Sequence, residues 1–258
     1  IESDAVVYAF DHDGLKMWEY WDRDDYGFWA VRATAIAFAN VDTDPELEII
    51  VLNGAYLNHF VYVLDTNGSL IWRFSGNQGF LLLGDVTGDG IEELIILTNY
   101  LGNGIFVVNK SNGDLIWSFL TPNNYCGCLG DMTNDGINDL MVSSENRLYA
   151  LKNDGSLLWS KDVENISYTP PVLEDIDGNG AKDVIMGAEQ GIMTFSNNGT
   201  YLWSYGDPAF FNYGWPYLYR FDIDHDKQKE IIFLIGKDVY EISQNGAATF
   251  IGTLPLTD

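Results

Sequence analysis

The chain is poor in positive charge, in cysteine and in histidine, and each shortage removes a class of function. Only 13 lysines and arginines stand against 38 aspartates and glutamates in 258 residues, a formal net charge of −25. Nucleic acids and anionic membrane surfaces are gripped by clustered Lys and Arg, so neither is an expected partner. No run of about 18 apolar residues occurs, which leaves no segment to insert in a membrane. The two cysteines, Cys126 and Cys128, stand one residue apart, too close for an unstrained disulfide, and no CxxC or His-rich grouping offers a zinc site. They read as two small buried side chains on a strand. None of the three histidines, His12, His59 and His225, stands beside a Ser or Cys in a nucleophile motif. No stretch shows helical periodicity, so the chain should be strands and turns almost throughout.

What the sequence does contain is an acidic loop, five times over. The copies are Asn40-Val-Asp42-Thr-Asp44, Asp85-Val-Thr87-Gly-Asp89, Asp131-Met-Thr133-Asn-Asp135, Asp175-Ile-Asp177-Gly-Asn179 and Asp222-Ile-Asp224-His-Asp226. They begin at positions 40, 85, 131, 175 and 222, 44 to 47 residues apart. Each has oxygen-bearing side chains at loop positions 1, 3 and 5 and a carboxylate at position 9: Glu48, Glu93, Asp139, Asp183 and Glu230. Alternate oxygen ligands on a tight turn suit a hard cation of flexible coordination number, so Ca2+ is the expected occupant of up to five sites. Asp, Asn and Gly are also ordinary turn residues, but a fivefold repeat exceeds what solvated turns require. Five divalent ions would offset ten charges and leave −25 + 10 = −15. The loops at 85–93, 131–139 and 175–183 keep Gly90, Gly136 and Gly180 at the turn. Pro45 and Lys227 replace that glycine in the first and fifth, where the bend must be made differently.

A second repeat interleaves with the first. Val61-Tyr-Val-Leu-Asp65 leads through Gly68 to Trp72, and the pattern recurs around Gly14 and Trp18, Gly113 and Trp117, Gly155 and Trp159, and Gly199 and Trp203, with Phe250 in the Trp place after Gly246. Apolar, β-prone runs flanking such turns signal hairpins. One unit is then a strand into the acidic loop, a strand out of it and a hairpin: four antiparallel strands in about 45 residues, the size of a propeller blade. The expected fold is an all-β propeller occupying 1–258 as a single domain, with six blades of four antiparallel strands. Thr253-Leu-Pro-Leu-Thr-Asp258 resembles Thr169-Pro-Pro-Val-Leu-Glu-Asp175, the approach to the fourth loop, so the two ends are expected to share one blade, the alternative being a fragment cut from a longer propeller. The repeated Trp would be an apolar plate between neighbouring sheets.

The acidic units resemble FG-GAP or VCBS-type repeats of the integrin α-subunit propeller class, with Asp175, Asp177, Asn179 and Asp183 as the fullest copy. The hairpins resemble the tryptophan-docking repeats of PQQ-type propellers, with Asp65, Gly68 and Trp72 as a clear copy. The resemblance implies the fold and calcium between the first two strands of a blade. It implies no quinone chemistry, because an adjacent Cys-Cys pair and a quinone-binding cluster are lacking.

In propellers the loops between blades gather at the face opposite such calcium hairpins. Two of them here are long and aromatic, and they place Trp21, Asp22, Arg23, Asp25, Trp29, Tyr213 and Trp215 as candidate ligand-binding residues, with Tyr56, Tyr100 and Tyr125 adding rings. Flat rings beside Asp and Arg suit sugars, whose apolar faces stack while hydroxyls hydrogen-bond. They equally suit a protein partner, where Tyr, Trp and Arg dominate interface energies, or they plug the central channel. Asp22, Asp24, Asp25 and Asp207 are the acids outside the metal sets that a polysaccharide lyase or hydrolase would need. The expected function is a binding or adhesion module for glycan or protein, with such an enzyme or a structural surface component as alternatives. Localisation is expected to be extracellular or at the cell surface, where calcium is millimolar. Four sequons, at Asn67, Asn109, Asn165 and Asn198, permit export, and any export signal is expected to precede Ile1 or to have been removed.

Overall fold

The computed structural model describes residues 7–21, 33–42, 44–53, 60–75, 79–99, 104–176, 178–188, 191–206, 216–223, 225, 230–243 and 246–255. These contain 22 β-strands and no helix, in agreement with the all-β expectation. The chain divides into two compact units, Ile1–Gly84 with Glu92–Asn124, and Asp85–Ile91 with Tyr125–Asp258. The first holds the pair β1 (Val7–Phe10) and β2 (Lys16–Tyr20). It also holds β3 (Ala33–Ala39), β4 (Glu48–Asn53), β5 (Phe60–Leu64) and β6 (Leu70–Ser75), then β7 (Gly79–Gly84), β8 (Glu93–Thr98), β9 (Gly104–Asn109) and β10 (Leu115–Phe119). The second holds β11 (Asn124–Gly130), β12 (Asp139–Ser144), β13 (Arg147–Leu151) and β14 (Leu157–Asp162). There follow β15 (Val172–Glu174), β16 (Asp183–Ala188), β17 (Gly191–Phe195) and β18 (Tyr201–Gly206), and finally β19 (Tyr217–Phe221), β20 (Glu230–Ile235), β21 (Asp238–Ile242) and β22 (Ala248–Thr253).

Five sheets are four-stranded antiparallel meanders in chain order, and β1–β2 form a sheet of two. The blade expected to be shared by the chain ends involves residues 1–6 and 256–258, which lie outside the described residues. The acidic loops connect first to second strands, as the sequence pattern requires. The third-to-fourth connections differ from a two-residue turn. Gly68 N–H donates to the Asp65 carbonyl at 2.8 Å, Gly68 has φ +84°, and the ladder slips between Val63 and Leu64. The same slip recurs in the hairpins ending at Trp18, Trp159 and Trp203. A type I turn followed by a left-handed bulge glycine accounts for it.

The second strands run apolar on both faces. Every residue of β8, β12 and β16 is buried, which demands a covering sheet on either side. Within the first unit, Ile50, Leu52, Val61 and Val63 share a core with Leu94, Ile96 and Val108, while Val51, Tyr62 and Leu64 meet Val7. Within the second, Met141, Leu148 and Ala150 pack with Val184, Met186 and Phe195, and Ile185 and Ile192 pack with Ile231 and Phe233.

The tryptophans lie between sheets as expected, and the structure adds what they dock on. The Trp18 indole N–H donates to the Thr66 carbonyl at 2.7 Å, Trp72 to Lys110 at 2.8 Å, and Trp159 to Asn197 at 2.7 Å. Each acceptor belongs to the hairpin turn of the next sheet. The ring then covers the bulge glycine of that turn, so that a Cβ on Gly68, Gly113 or Gly199 would stand 2.6, 2.7 or 2.8 Å from a ring carbon of Trp18, Trp72 or Trp159. Trp203 covers Gly246 likewise at 2.7 Å, and Gln244, which corresponds to Thr66, lies outside the described residues. Phe250, in the Trp place of the last sheet, is exposed.

Gly199→Ala should therefore lose stability twice, by forcing a side chain to φ +82° and by pushing Trp159 off its seat. The expected cost is about 2 to 4 kcal/mol, from positive-φ strain plus overpacking. In chemical denaturation, Trp159→Ala combined with Gly199→Ala should cost less than the sum of the two single changes, because the steric part vanishes with the ring. Additive costs would show that the ring and the glycine are independent.

Candidate functional site

The acidic loops share a backbone device that residue types alone do not display. Loop position 4 is left-handed wherever it is described: Gly88 at φ 78°, Asn134 at 59°, Gly178 at 77° and His225 at 64°. Glycine, asparagine and, less readily, histidine tolerate that region. Position 6 is left-handed at Gly90, Gly136 and Gly180, as the glycine pattern suggested. Proline has its φ locked negative, so at Pro45 the first loop turns another way.

The position 1 carboxylates hold these bends. Asp85 accepts from Gly88 and Gly90 N–H at 2.6 and 2.8 Å, and Asp131 accepts from Asp135 and Gly136 N–H at 3.1 and 2.8 Å. Asp175 accepts from Gly178, Asn179 and Gly180 N–H at 2.8, 3.0 and 2.9 Å. Position 5 accepts from the N–H two residues on at Asp44, Asp89, Asp135 and Asn179. The Ile137 N–H, and then Lys152 Nζ at 3.4 Å, hold the Asp135 carboxyl below the usual range. A carboxylate has about four lone-pair directions, so these bonds leave capacity for a cation. The Thr87 and Thr133 side chains stand at position 3 of the second and third loops. Asp177, Asp224 and Asp226 lie outside the described residues.

Position 9 does more than the sequence pattern indicated. Glu48, Glu93, Asp139 and Asp183 are all buried. One oxygen of this carboxylate reaches back to the N–H of loop position 2: Glu48 to Val41 at 2.6 Å, Asp139 to Met132 at 3.0 Å, Asp183 to Ile176 at 2.9 Å and Glu230 to Ile223 at 2.7 Å. In Asp139 and Asp183 the other oxygen takes the Asn153 and Asn197 N–H, in the hairpin turn of the same sheet, at 3.2 and 2.9 Å. Burial pushes the Asp139 carboxyl up, against those N–H groups that pull it down.

The first loop is different. Its position 9 residue, Glu48, is a glutamate like Glu93 and Glu230, and its Oε1, fully buried, has no hydrogen-bond partner among the described residues. Asp42, Asp44 and Glu48 bring ligand oxygens within 4.8 Å of one another. Asn40, expected as its first ligand, instead donates through Nδ2 to the Asp44 carbonyl. The sequence pattern ranked this loop below the second, third and fourth because of Pro45. The described carboxylates nonetheless converge here; in the third loop Asp139 accepts from the Met132, Thr133 and Asn153 N–H groups.

Of the expected aromatic face, only Trp21 is described, half-buried and hydrogen-bonded to Glu19. Lys16 at 2.8 Å and then Trp21 hold the Glu19 carboxyl below its usual range. Asp22, Arg23, Asp25, Trp29, Tyr213 and Trp215 lie outside the described residues, as do Tyr56, Tyr100, Asp24 and Asp207. Tyr125 is described, and it has a partner the sequence did not single out. Tyr168 lies against it with ring centroids 4.3 Å apart and planes tilted by 42°, and is 58% exposed. Burial, then Tyr168, pushes the Tyr125 hydroxyl up to about 12. Tyr168 sits on a pinned loop. Ser167 N–H donates to the Gly187 carbonyl at 3.1 Å, Ser167 and Thr169 hydroxyls are 2.7 Å apart, and Thr169 donates to the Pro216 carbonyl at 2.9 Å. This pair lies at the start of β11, the end opposite the acidic loop of that sheet.

Repeated four-stranded antiparallel meanders, with one kind of loop always joining the first two strands, define a β-propeller repeat protein. Over residues 57–209, more than half of its length, the chain matches the family described as outer membrane protein assembly factor BamB, and it belongs to that family. Similar solved structures include the V. cholerae biofilm matrix protein Bap1, with 17% identity, TM-score 0.60 and coverage of 84% of this chain and 38% of that one. BamB from Moraxella catarrhalis has 13% identity, TM-score 0.51 and coverage of 88% and 65%. An Agrocybe aegerita lectin that recognises non-reducing terminal N-acetylglucosamine has 19% identity, TM-score 0.54 and coverage of 88% and 67%. No curated protein matches the chain by sequence. At these identities the likeness is one of fold, and the chain spans little more than a third of Bap1.

Asp139→Ala should leave the Met132, Thr133 and Asn153 N–H groups without their acceptor, at a cost of about 2 to 4 kcal/mol. Hydrogen exchange should speed up both in 131–138 and in the 152–156 turn. Loss of protection in only one of these segments would show that the carboxylate does not tie them together.

Proposed function

We propose that the chain is a calcium-stabilised propeller of FG-GAP or VCBS type, six-bladed, that acts outside the cell as a glycan-binding module. The observation that carries the binding reading is the Tyr125–Tyr168 pair: an exposed ring, backed by a second ring and fixed by a hydrogen-bonded loop. A rigid aromatic plate offers a pyranose face its stacking surface without an ordering cost at binding. The lectin of similar fold supports a sugar as ligand for such a scaffold. A protein partner is the other outcome the test must separate.

The calcium reading rests on the first loop. Buried Glu48 Oε1 without a partner, beside Asp42 and Asp44, is an arrangement that costs stability unless a cation or water satisfies it. Hard oxygen donors of this kind fit Ca2+. The other four loops would bind it with Asp85, Thr87, Asp89 and Glu93, with Asp131, Thr133, Asp135 and Asp139, with Asp175, Asp177, Asn179 and Asp183, and with Asp222, Asp224, Asp226 and Glu230. Bound calcium would neutralise the carboxylates and tie each loop to its sheet.

Calcium at about a hundred times its dissociation constant should add roughly 2.7 kcal/mol per occupied site and raise the Tm measurably over that in chelator. Glu48→Gln should remove part of that gain. An unchanged Tm, with metal content verified as removed, would sink the calcium reading. For binding, a glycan array on the intact chain should return terminal sugars. Tyr168→Ala should then weaken the best glycan by about 2 kcal/mol, roughly thirtyfold, and leave the Tm within a degree or two. An empty array together with capture of a defined protein would transfer the face to a protein partner.

A further inference from the structure

The hairpin turn beside the Tyr125–Tyr168 pair carries a side chain that its backbone does not favour. Ser144 and Arg147 are Cα partners across β12 and β13, so Glu145 and Asn146 form a two-residue turn. Glu145 has φ +40°. The corresponding turn of the last sheet, between Ile235 and Asp238, puts Gly236 in that place at φ +60°. Turns of this length favour glycine there, and a glutamate enters the left-handed region only with strain. Strained positions of this kind cluster at ligand sites.

The fold sets this turn against the aromatic pair. Cys126 Sγ and Ser143 Oγ are 3.0 Å apart across β11 and β12, so the antiparallel ladder places Tyr125 opposite Ser144, the residue before Glu145. The Glu145 carboxylate adds to the push that burial and Tyr168 exert on the Tyr125 hydroxyl. From the other side, Val163 N–H donates to the Asn146 carbonyl at 2.9 Å, and the segment that starts there leads through Ser167 to Tyr168. Glu145 and Tyr168 are both exposed. The other described charges on these elements at this end are Arg147 and Asp162, which pair at 2.6 Å, and exposed Lys161 and Glu164, which are opposite in sign. Glu145 is therefore the charge in excess, beside two rings tilted by 42° to one another.

We infer that Tyr125, Tyr168 and Glu145 together select a cationic sugar, the unacetylated amino sugar glucosamine, over its neutral counterparts. This selection rests on the glycan-binding reading of the Tyr125–Tyr168 pair. A pyranose face stacks on the exposed ring, and an ammonium beside it meets both a carboxylate and the negative faces of the rings. N-acetylation removes the charge and leaves the stacking, so the acetyl group separates the two contributions. The net charge of −25 also favours the approach of a cation.

The probes are trimers of glucosamine, of N-acetylglucosamine and of glucose, titrated into the intact chain at low salt. The glucosamine trimer should bind roughly five- to tenfold tighter than the other two, the gain that one exposed ion pair and one exposed cation–π contact supply. That advantage should shrink at an ionic strength of about 1 M, where charges are screened within roughly 3 Å. Glu145→Gln should abolish the advantage and leave the two neutral trimers bound as before. Glu145→Gly should do the same with the Tm unchanged or raised, because glycine fits the turn, so that the lost preference is not a loss of folding. Tyr168→Ala should weaken all three trimers. Equal affinity for the three, or an advantage that survives Glu145→Gln, would overturn the selection by charge and leave the glycan reading standing. If none of the trimers binds, the selection falls, and the glycan array decides the reading beneath it.

Discussion

The structure depends on sheets that are apolar on both sides. A second strand such as β8 or β12 buries every side chain it has, so no sheet in the chain satisfies itself. Burying one large aliphatic side chain is worth about 1.5 to 3 kcal/mol, and each such strand offers several. The cheapest way to cover two faces of a sheet is to set a like sheet against each. Repetition of one unit follows from this requirement.

Neighbouring sheets are kept in register by polar and steric contacts as well as by apolar ones. Each docked indole donates one hydrogen bond to a turn carbonyl and lies on a glycine with no room for a side chain. That glycine is needed first for its positive φ in the bulge and second for its missing Cβ. Nearby, the acidic loops of the second unit touch one another. Asn138 donates to the Asp85 carbonyl at 3.0 Å, Lys182 N–H to the Asp131 carbonyl at 3.1 Å, and Asn197 to the Met132 carbonyl at 3.1 Å. The loops are therefore part of the packing as well as candidate cation sites. Their position 9 carboxylates would be conserved by folding alone in any unit that uses both oxygens on the backbone, as Asp139 and Asp183 do.

Membership of the BamB family and a likeness to Bap1 and to a lectin describe a scaffold on which function sits at the loops. The scaffold repeats five times with small changes, and the changes distinguish the loops. In the first loop Glu48 Oε1 is buried without a hydrogen-bond partner, whereas both oxygens of Asp139 and of Asp183 are bonded to the backbone. The Tyr168 loop, pinned through Ser167 and Thr169, presents an exposed ring.

Strand content, turn positions, the 44 to 47 residue repeat and the identity of the docking tryptophans were all legible in the sequence, because each reflects local periodicity or a residue with a singular backbone preference. Gly90, Gly136 and Gly180 announce left-handed bends, and Asp-x-Asp spacing announces converging oxygens. Nothing local says whether a carboxylate will spend its oxygens on a cation or on the N–H groups of its own sheet. Asp139 gives both oxygens to N–H groups of its own sheet, one of them Asn153 in a hairpin turn fourteen residues away. Tyr168 lay in no motif, and only the fold brought it against Tyr125, because a ring contact between residues 43 positions apart is decided by which strand ends meet in space.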